Sequence, residues 1–246
     1  MPKCWRYERM KPADLARALK TCPVAYLVVS PLEWHGEAMA FGCDPAIGAA
    51  VATKAWKRTG GVLIPTMYYG CETLFREWNG KGWTDHWGME VQTREHHPGS
   101  LYCTPQTLEL MVKETLTAIE HQGFKVCALV SGHGGWEHVA VLKDLEKRWE
   151  GRRMKLVYSR RKGRRRPKAL RFEGSGGHAD FAEASILGAV DPSMVDKRKF
   201  GRIRRDKGIG LKAENARLID FRKGKRVLAF SVDSLVQAVR EAMRGR

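Results

Sequence analysis

Apolar runs and helical patterns alternate along the first two thirds of the chain, and this order constrains the fold more than any other feature. Nearly continuous apolar runs, typical of parallel strands buried on both faces, occupy residues 24–30, 62–67, 124–130 and 154–158. Helical patterns separate them, at 45–57, 105–122 and 136–149. This alternation predicts an α/β fold in which helices cover both faces of a mostly parallel sheet.

Local signals set the expected bounds of these elements. Asp44 is predicted to be the N-cap of the first helix, with Pro45 as its first residue. Gly123 is expected to end the second helix. A loop from Tyr69 to about Cys103, rich in Gly, Trp and His, is too long to be a passive connection.

The composition fits one cytoplasmic domain. With 246 residues, 43% of them hydrophobic, the chain can bury a sizeable core, and we predict a single domain over 1–246. The sequence has no run of about 18 apolar residues and no apolar segment of a signal peptide near its start, so no membrane partner is expected. The six cysteines are scattered singly, which favours a reducing cytoplasm over a disulfide framework.

The net charge of +17 is concentrated in three segments. Residues 152–171 hold eleven Lys or Arg and no acid, 197–207 add seven, and 222–226 add four. Such clusters fit either a phosphate-binding surface or a solvated arm at a subunit contact. We favour the second interpretation and place the basic segments, 152–171 above all, away from any catalytic centre.

Polar residues follow directly after the predicted strands. Glu33 and His35 follow the first, Tyr69 follows the second, and His133 follows the third. In open α/β sheets, ligands bind beyond the carboxyl ends of the strands. These side chains are therefore expected at one edge of one sheet.

Three clusters together suggest a metal site, although each alone has an ordinary explanation. The pair Glu33 and His35 is common in surface loops, a histidine between glycines is often structural, and Asp180 with Glu183 fits a helix start. Combined, they supply imidazole and carboxylate groups that suit zinc or manganese. Two metals require a bridging carboxylate, and Asp44 is the natural candidate.

The ordered motifs resemble those of the creatininase (creatinine amidohydrolase) family. The family pattern E-x-H-G-x-H-L-P-x-G-T-D is similar to residues 33–44, and N-G-H-G-G-N is similar to 131–136. The pattern H-A-G-x-x-E-T-S is similar to 178–185, and a weaker F-P-G-T element to 97–100. The similarity in order and spacing covers about residues 24–195.

The resemblance implies a three-layer α/β/α fold, two divalent metal ions (zinc or manganese, with iron as a further candidate) and a homo-oligomer, commonly a hexamer. It implies that Glu33, Asp44 and His133 hold one ion, and that His35, Asp44 and Glu183 hold the other. His178 is implied as the catalytic residue that handles the proton. We assign contacts with a small-molecule substrate to four further positions: Tyr69, Gly134, Gly135 and Trp136.

The departures from the family motifs affect the neighbours of the metal-ligand positions. Ala38, Met39 and Ala40 replace the second histidine, the leucine and the proline of the first motif, and other neighbours are replaced by Ser131, Trp136, Asp180 and Ala184. We therefore predict hydrolysis of a C–N bond in an amide-like substrate other than creatinine, a cyclic amide or a formamide, by a metal-bridging hydroxide. Four tryptophans are candidates to line the pocket, with core packing expected for at least half of them: Trp78, Trp83, Trp87 and Trp136.

Two alternatives stay open. A hydrolase of the same family acting on a peptide end, or on a C–C bond of a cyclic ketone, would share the metal site. A basic nucleic-acid-binding protein with a degenerate metal site would explain the charge instead. Metal content separates the enzyme from the nucleic-acid-binding protein.

Overall fold

A four-stranded parallel sheet forms the centre of the molecule. The computed structural model describes residues 5–93, 95–159, 166–175, 177–200 and 213–244. The strands of the sheet are β1 (Val24–Val28), β2 (Val62–Leu63), β5 (Val126–Val130) and β6 (Lys155–Tyr158), in the order β2-β1-β5-β6. Ala25 pairs with Val62 on one side and with Cys127 on the other. The predicted parallel sheet is confirmed, with β2 shorter than expected.

Helices cover both faces of this sheet, as the alternation of strands and helices predicts. The helices are α1 (Pro12–Thr21), α2 (Cys43–Thr59), α3 (Met89–Thr93), α4 (Pro105–His121), α5 (Trp136–Arg148), α6 (Phe181–Val190) and α7 (Phe221–Arg244). Alternate residues of β1 face opposite layers: Leu27 packs in a core with α1, α4 and α5, whereas Tyr26 packs in a core with α2 and α7. The result is the three-layer α/β/α architecture.

Three local expectations can be compared with the structure, and two of them need correction. The N-cap of α2 is Gly42, whose carbonyl accepts the N–H of Ala46 at 2.9 Å, so Asp44 lies inside the first turn and is not the cap. The region 69–103 is not all loop, because it contains an antiparallel hairpin of β3 (Leu74–Trp78) and β4 (Trp83–Trp87), followed by α3. Gly123, with a φ of 101°, follows the end of α4 as predicted.

The basic segment 152–171 is described only in part, since 160–165 lie outside the described residues. Arg152, just before the amino end of β6, pairs with Glu120 of α4 at 2.7 Å. Arg166 lines a cavity of about 810 Å³ that also includes Glu183. The peripheral placement of the segment therefore stays a prediction. Among the helices described, none combines the length and the apolar character needed to cross a bilayer.

Candidate metal centre

The loop after β1 brings two side chains into a buried centre, and one backbone contact orients the second of them. Glu33 is 2% exposed and His35 is fully buried. The Nδ1 atom of His35 lies 2.9 Å from the main-chain oxygen of Glu33 and donates to it. The Nε2 atom of His35 faces the centre and has no hydrogen-bond partner among the described residues.

Asp44 enters the centre because the start of α2 lies against the turn that follows β5. Gly132 is in that turn, and a Cβ atom there would lie 2.1 Å from the main-chain oxygen of Asp44. Only glycine permits this approach. The Asp44 carboxylate, 1% exposed, consequently lies between two histidines.

The first half of the centre is built around His133. The Nδ1 atom of His133 lies 2.9 Å from Glu33 Oε2 and 2.8 Å from Asp44 Oδ2. Three ligand atoms at such separations surround a point that a single cation can occupy. We refer to Glu33, Asp44 and His133 as the His133 half.

The second half is built around His35. Its Nε2 atom lies 3.7 Å from Asp44 Oδ1 and 3.6 Å from Glu183 Oε2. Asp44 therefore presents one oxygen to each histidine. The buried thiol of Cys43 joins His35 and Asp44 in a group whose candidate ligand atoms lie within 4.8 Å of one another. We refer to His35, Asp44 and Glu183 as the His35 half.

Glu183 is oriented by an unusual turn before α6. Ala179 has a φ of 50°, in the left-handed region that favours glycine, and its N–H donates to Glu183 Oε2 at 2.6 Å. Asp180 accepts the N–H groups of Ala182 and Glu183, so it is the N-cap of α6. Asp180 is therefore used in capping, while Glu183 is free to face His35.

His178 lies at the edge of the same centre. Its Nε2 atom donates to the main-chain oxygen of Trp34 at 3.0 Å, which leaves Nδ1 as the acceptor, 3.7 Å from Glu33 Oε1. The rings of His178 and His35 lie 4.6 Å apart. Burial lowers the pKa of His178, so this imidazole is neutral near pH 7.

The electrostatics of the two halves differ. Burial alone would raise the pKa of Asp44, but the hydrogen bond with His133 and the nearby imidazole of His35 hold it well below its usual range. Burial raises the pKa of Glu183 to about 8. Burial disfavours the charged form of both histidines, yet their acidic neighbours outweigh it and raise the pKa of each.

These residues fit a metal site. Buried atoms with no hydrogen-bond partner in the described part of the chain include His35 Nε2 and Glu33 Oε2, both inside the centre. Orphaned polar atoms in a buried place are costly unless an ion satisfies them. The structure brings together all five proposed ligands, with His178 beside them.

Sequence reasoning missed three further residues of the centre. Glu72 Oε2 lies 3.2 Å from His133 Nε2, and the hydroxyl of Tyr102 donates to Glu33 Oε1 at 2.8 Å. The cysteines are scattered singly along the sequence, but the fold places Cys43 next to His35 in space. Glu72 and Tyr102 lie outside the motifs, and Cys43 takes the place of the threonine in the first motif.

The predicted substrate residues lie in different surroundings. Tyr69 and Trp136 are exposed, by 43% and 88%, and Gly134 is also exposed. Gly135 is buried against His133 and Glu72.

The expectation that at least half of the four candidate tryptophans pack in the core is wrong. Trp136 is largely exposed, as are Trp78 and Trp83 on the β3–β4 hairpin. Trp87 stacks with Tyr102, with ring centroids 6.2 Å apart.

Comparison with known proteins places the chain in a family. The family model described as creatininase, creatinine amidohydrolase, matches residues 8–239. Among curated protein sequences, none matches. A crystal structure of creatinine amidohydrolase (creatininase) is 20% identical with a TM-score of 0.72, and a structure described as creatininase Mn is 21% identical with a TM-score of 0.72.

A creatininase mutant described as Zn-Zn type is also 21% identical, with a TM-score of 0.73. Each of these three comparisons covers 97% of this chain and 98% of the other. At this identity the structures establish the shared fold. Because the family model spans residues 8–239, the chain belongs to the creatininase family.

Proposed function

We propose that this chain is a metal-dependent amidohydrolase that cleaves a C–N bond of a small amide-like molecule, a cyclic amide or a formamide. One observation carries this proposal: the Asp44 carboxylate presents one oxygen to His133 and the other to His35. A carboxylate shared in this way would suit a pair of divalent ions. Membership of the creatininase family supports the reaction class.

The ligand sets support zinc or manganese, with iron as a further candidate. We assign one ion to the His133 half and the other to the His35 half, each a mixture of imidazole nitrogen and carboxylate oxygen. The creatininase structures described as Mn and Zn-Zn forms support the same choice. Divalent ions held by these residues would supply a water of lowered pKa, toward about 7, and a Lewis acid for a carbonyl oxygen near neutral pH.

We assign proton transfer to His178. Its Nε2–H is held by the Trp34 carbonyl, so the Nδ1 lone pair is the atom that accepts and returns a proton. Since the pKa of His178 is lowered, the ring is ready to accept the proton released from water. It can then deliver that proton to the leaving nitrogen, a step typically worth about 10²–10⁴ in rate.

The substrate is proposed to differ from creatinine. A creatininase mutant has been solved in complex with creatine. Here, however, Ala38, Met39 and Ala40 replace polar or bulky motif residues, and exposed Trp136 replaces an asparagine beside the centre. Tyr69, Gly134 and Gly135 remain proposed substrate contacts.

Reconstitution with Zn²⁺ or Mn²⁺, followed by a panel of cyclic amides, formamides, short peptides and cyclic ketones, tests the proposal. We expect metal-dependent release of an amine or formate from at least one amide. If only peptides or ketones are turned over, the amide proposal is wrong and the chain is a hydrolase of peptide ends or of cyclic ketones. Salt-sensitive binding of RNA or DNA, by a protein that takes up no metal, would favour the nucleic-acid-binding alternative.

Three further proposals concern the whole chain. We propose one domain over 1–246. Residues near both ends of the chain support it, because Trp5 packs against one of the two cores that include β1 and Met243 packs against the other. We also propose a homo-oligomer, a hexamer by family resemblance, located in the cytoplasm. Light scattering coupled to size-exclusion chromatography measures the mass, and a monomer would contradict the oligomer.

A further inference from the structure

Glu72 contacts the metal centre from a segment that carries no recognised motif. It lies between β2 and β3, at the base of the exposed hairpin, yet its side chain is only 14% exposed. Its Oε2 atom lies 3.2 Å from His133 Nε2, the ring nitrogen that faces away from Glu33 and Asp44. The imidazole of His133 therefore lies between carboxylates at both nitrogens.

Two local features fix the Glu72 carboxylate in that place. Its Oε1 atom accepts the N–H of Thr73 at 2.9 Å and the hydroxyl of Thr73 at 3.3 Å, which directs Oε2 toward the ring. On the other side is Gly135, where a Cβ atom would lie 1.9 Å from Glu72 Oε2 and 2.4 Å from His133 Nε2. Any side chain at 135 would displace one of these two groups.

The two histidines of the centre are oriented by different acceptors. The outer nitrogen of His35 donates to a neutral main-chain carbonyl, that of Glu33. The outer nitrogen of His133 lies 3.2 Å from the Glu72 carboxylate instead, a contact whose angles fall short of a hydrogen bond, and a charged acceptor attracts an N–H more strongly than a neutral one does. Carboxylates placed behind metal-binding histidines fix the tautomer and the orientation of the ring.

We propose that Glu72 is a positioning residue of the metal centre, which holds the Nδ1 atom of His133 toward the ion of the His133 half. This inference rests on the proposed metal-dependent function. In this role Glu72 acts on the ion through the ring, so its removal should loosen the His133 half and leave the His35 half as it is. Its carboxylate also belongs with Glu33 and His133 to a group whose candidate ligand atoms lie within 4.8 Å of one another, and direct ligation is the alternative that the test separates. Loss of such an outer carboxylate typically weakens metal affinity about 10–100-fold.

Competition with a chromophoric chelator measures Zn²⁺ affinity directly, without an assay of activity. The test compares the metal-free wild type, Glu72→Ala, Glu72→Gln and the control Glu114→Gln, which makes the same change on an exposed position of α4. We expect Glu72→Ala to weaken one of the two Zn²⁺ equivalents by about 10–100-fold. Glu72→Gln should lose less, because its amide oxygen can take the place of the carboxylate oxygen beside Nε2, and Glu114→Gln should match the wild type.

The possible outcomes separate this inference from the function on which it rests. Wild-type affinity in Glu72→Ala would overturn the positioning role alone. Equal and complete loss of one Zn²⁺ in both Glu72 variants would overturn it too, because it would make Glu72 a direct ligand. Failure of the wild type to bind Zn²⁺ would contradict the metal-dependent function and the positioning role together.

Discussion

The two halves of the centre share Asp44 but differ in almost everything else. In the His133 half, ligand atoms lie 2.8 and 2.9 Å apart and Glu72 stands behind the ring. In the His35 half the corresponding distances are 3.6 and 3.7 Å, and the carboxylate of Glu183 has a raised pKa. The His133 half has shorter distances between ligand atoms and more carboxylates. The His35 half has longer distances, and its carboxylate Glu183 is protonated more readily.

This difference indicates how the two ions should behave. Cations compete with protons for their ligands, so a half whose carboxylate has a high pKa gives up more protons when it binds a metal. The His133 half is expected to hold its ion more tightly, and the His35 half to exchange its ion more readily. Asp44 is the side chain through which a change in one half reaches the other.

Asp44→Asn should have the largest effect, because it removes the one ligand common to both halves. The amide is neutral and coordinates poorly through nitrogen, so both ions should be lost or weakly held, and hydrolytic activity should fall by several orders of magnitude. Metal analysis and turnover at neutral pH check this. Since the cap of α2 is Gly42, the helix should form normally in the variant.

Circular dichroism of Asp44→Asn provides the control for folding. A helix content equal to that of the wild type, together with lost metal, supports the shared-ligand role. A variant that keeps both ions and most of its turnover would contradict it.

Separate removal of the two histidines tests whether the halves are distinct. His133→Ala should abolish binding in the His133 half, and His35→Ala should abolish it in the His35 half, so each variant should retain about one ion per chain. Inductively coupled plasma mass spectrometry measures the counts. Loss of both ions in either variant would mean that the halves do not bind independently.

His178→Ala should leave the metal content unchanged and reduce activity. The side chain lies beside the centre, and we expect turnover to fall about 10²–10⁴-fold because proton transfer is lost. The contrast with His35→Ala, which should lose one of the two ions as well as activity, makes the assignment specific. Unchanged turnover in His178→Ala would remove its role in proton transfer.

The pH dependence of metal binding should be steeper in the His35 half. Burial raises the pKa of Glu183 to about 8, so this carboxyl is protonated in the metal-free protein at neutral pH and becomes an available ligand as the pH rises through about 8. Zn²⁺ affinity of the His133→Ala variant, which retains the His35 half, should therefore rise more steeply between about pH 6 and 8 than that of His35→Ala. Equal slopes would contradict the assigned difference.

The same shift has a consequence for the stability of the metal-free protein. A raised folded-state pKa means that Glu183 stabilises the fold fully below its unfolded pKa of about 4.5, and that this contribution is lost as the pH rises through about 8. Between about pH 4.5 and pH 8, the melting temperature should accordingly fall less in Glu183→Gln than in the wild type. A parallel pH profile for the two proteins would count against the shift.

Much of the fold and of the ligand set follows from the sequence for one physical reason. Parallel strands end at the same edge, so polar residues just after β1 and β5 must meet there, as Glu33 and His133 do. Glycines beside His133 signalled a close backbone approach, and Gly132 makes one with Asp44. Strand order thus predicted that Glu33, His35 and His133 would meet, whereas the full ligand set, with Glu183, was implied by the resemblance to the creatininase family.

What the sequence reasoning missed depends on contacts between distant segments. Glu72 is a single acid in a long loop, and the available signal was indirect, a glycine at 135 that leaves room for another group. The hairpin could have been found from Asn79-Gly80, a dipeptide typical of tight turns between strands.

The long helix α7 was missed for a different reason. Its buried face includes apolar residues four positions apart, namely Leu228, Val232 and Val236. This spacing is typical of a helix that packs one face on a core. The basic residues 222–226 precede this run, and the segment was interpreted by its charge alone, without its apolar spacing.

Anomalous diffraction from crystals of the protein reconstituted with Zn²⁺ tests the central claim most directly. We predict two peaks about 3.5–4 Å apart on either side of Asp44, one against His133 and the other against His35. A single peak, or peaks that do not involve Asp44, would contradict the account.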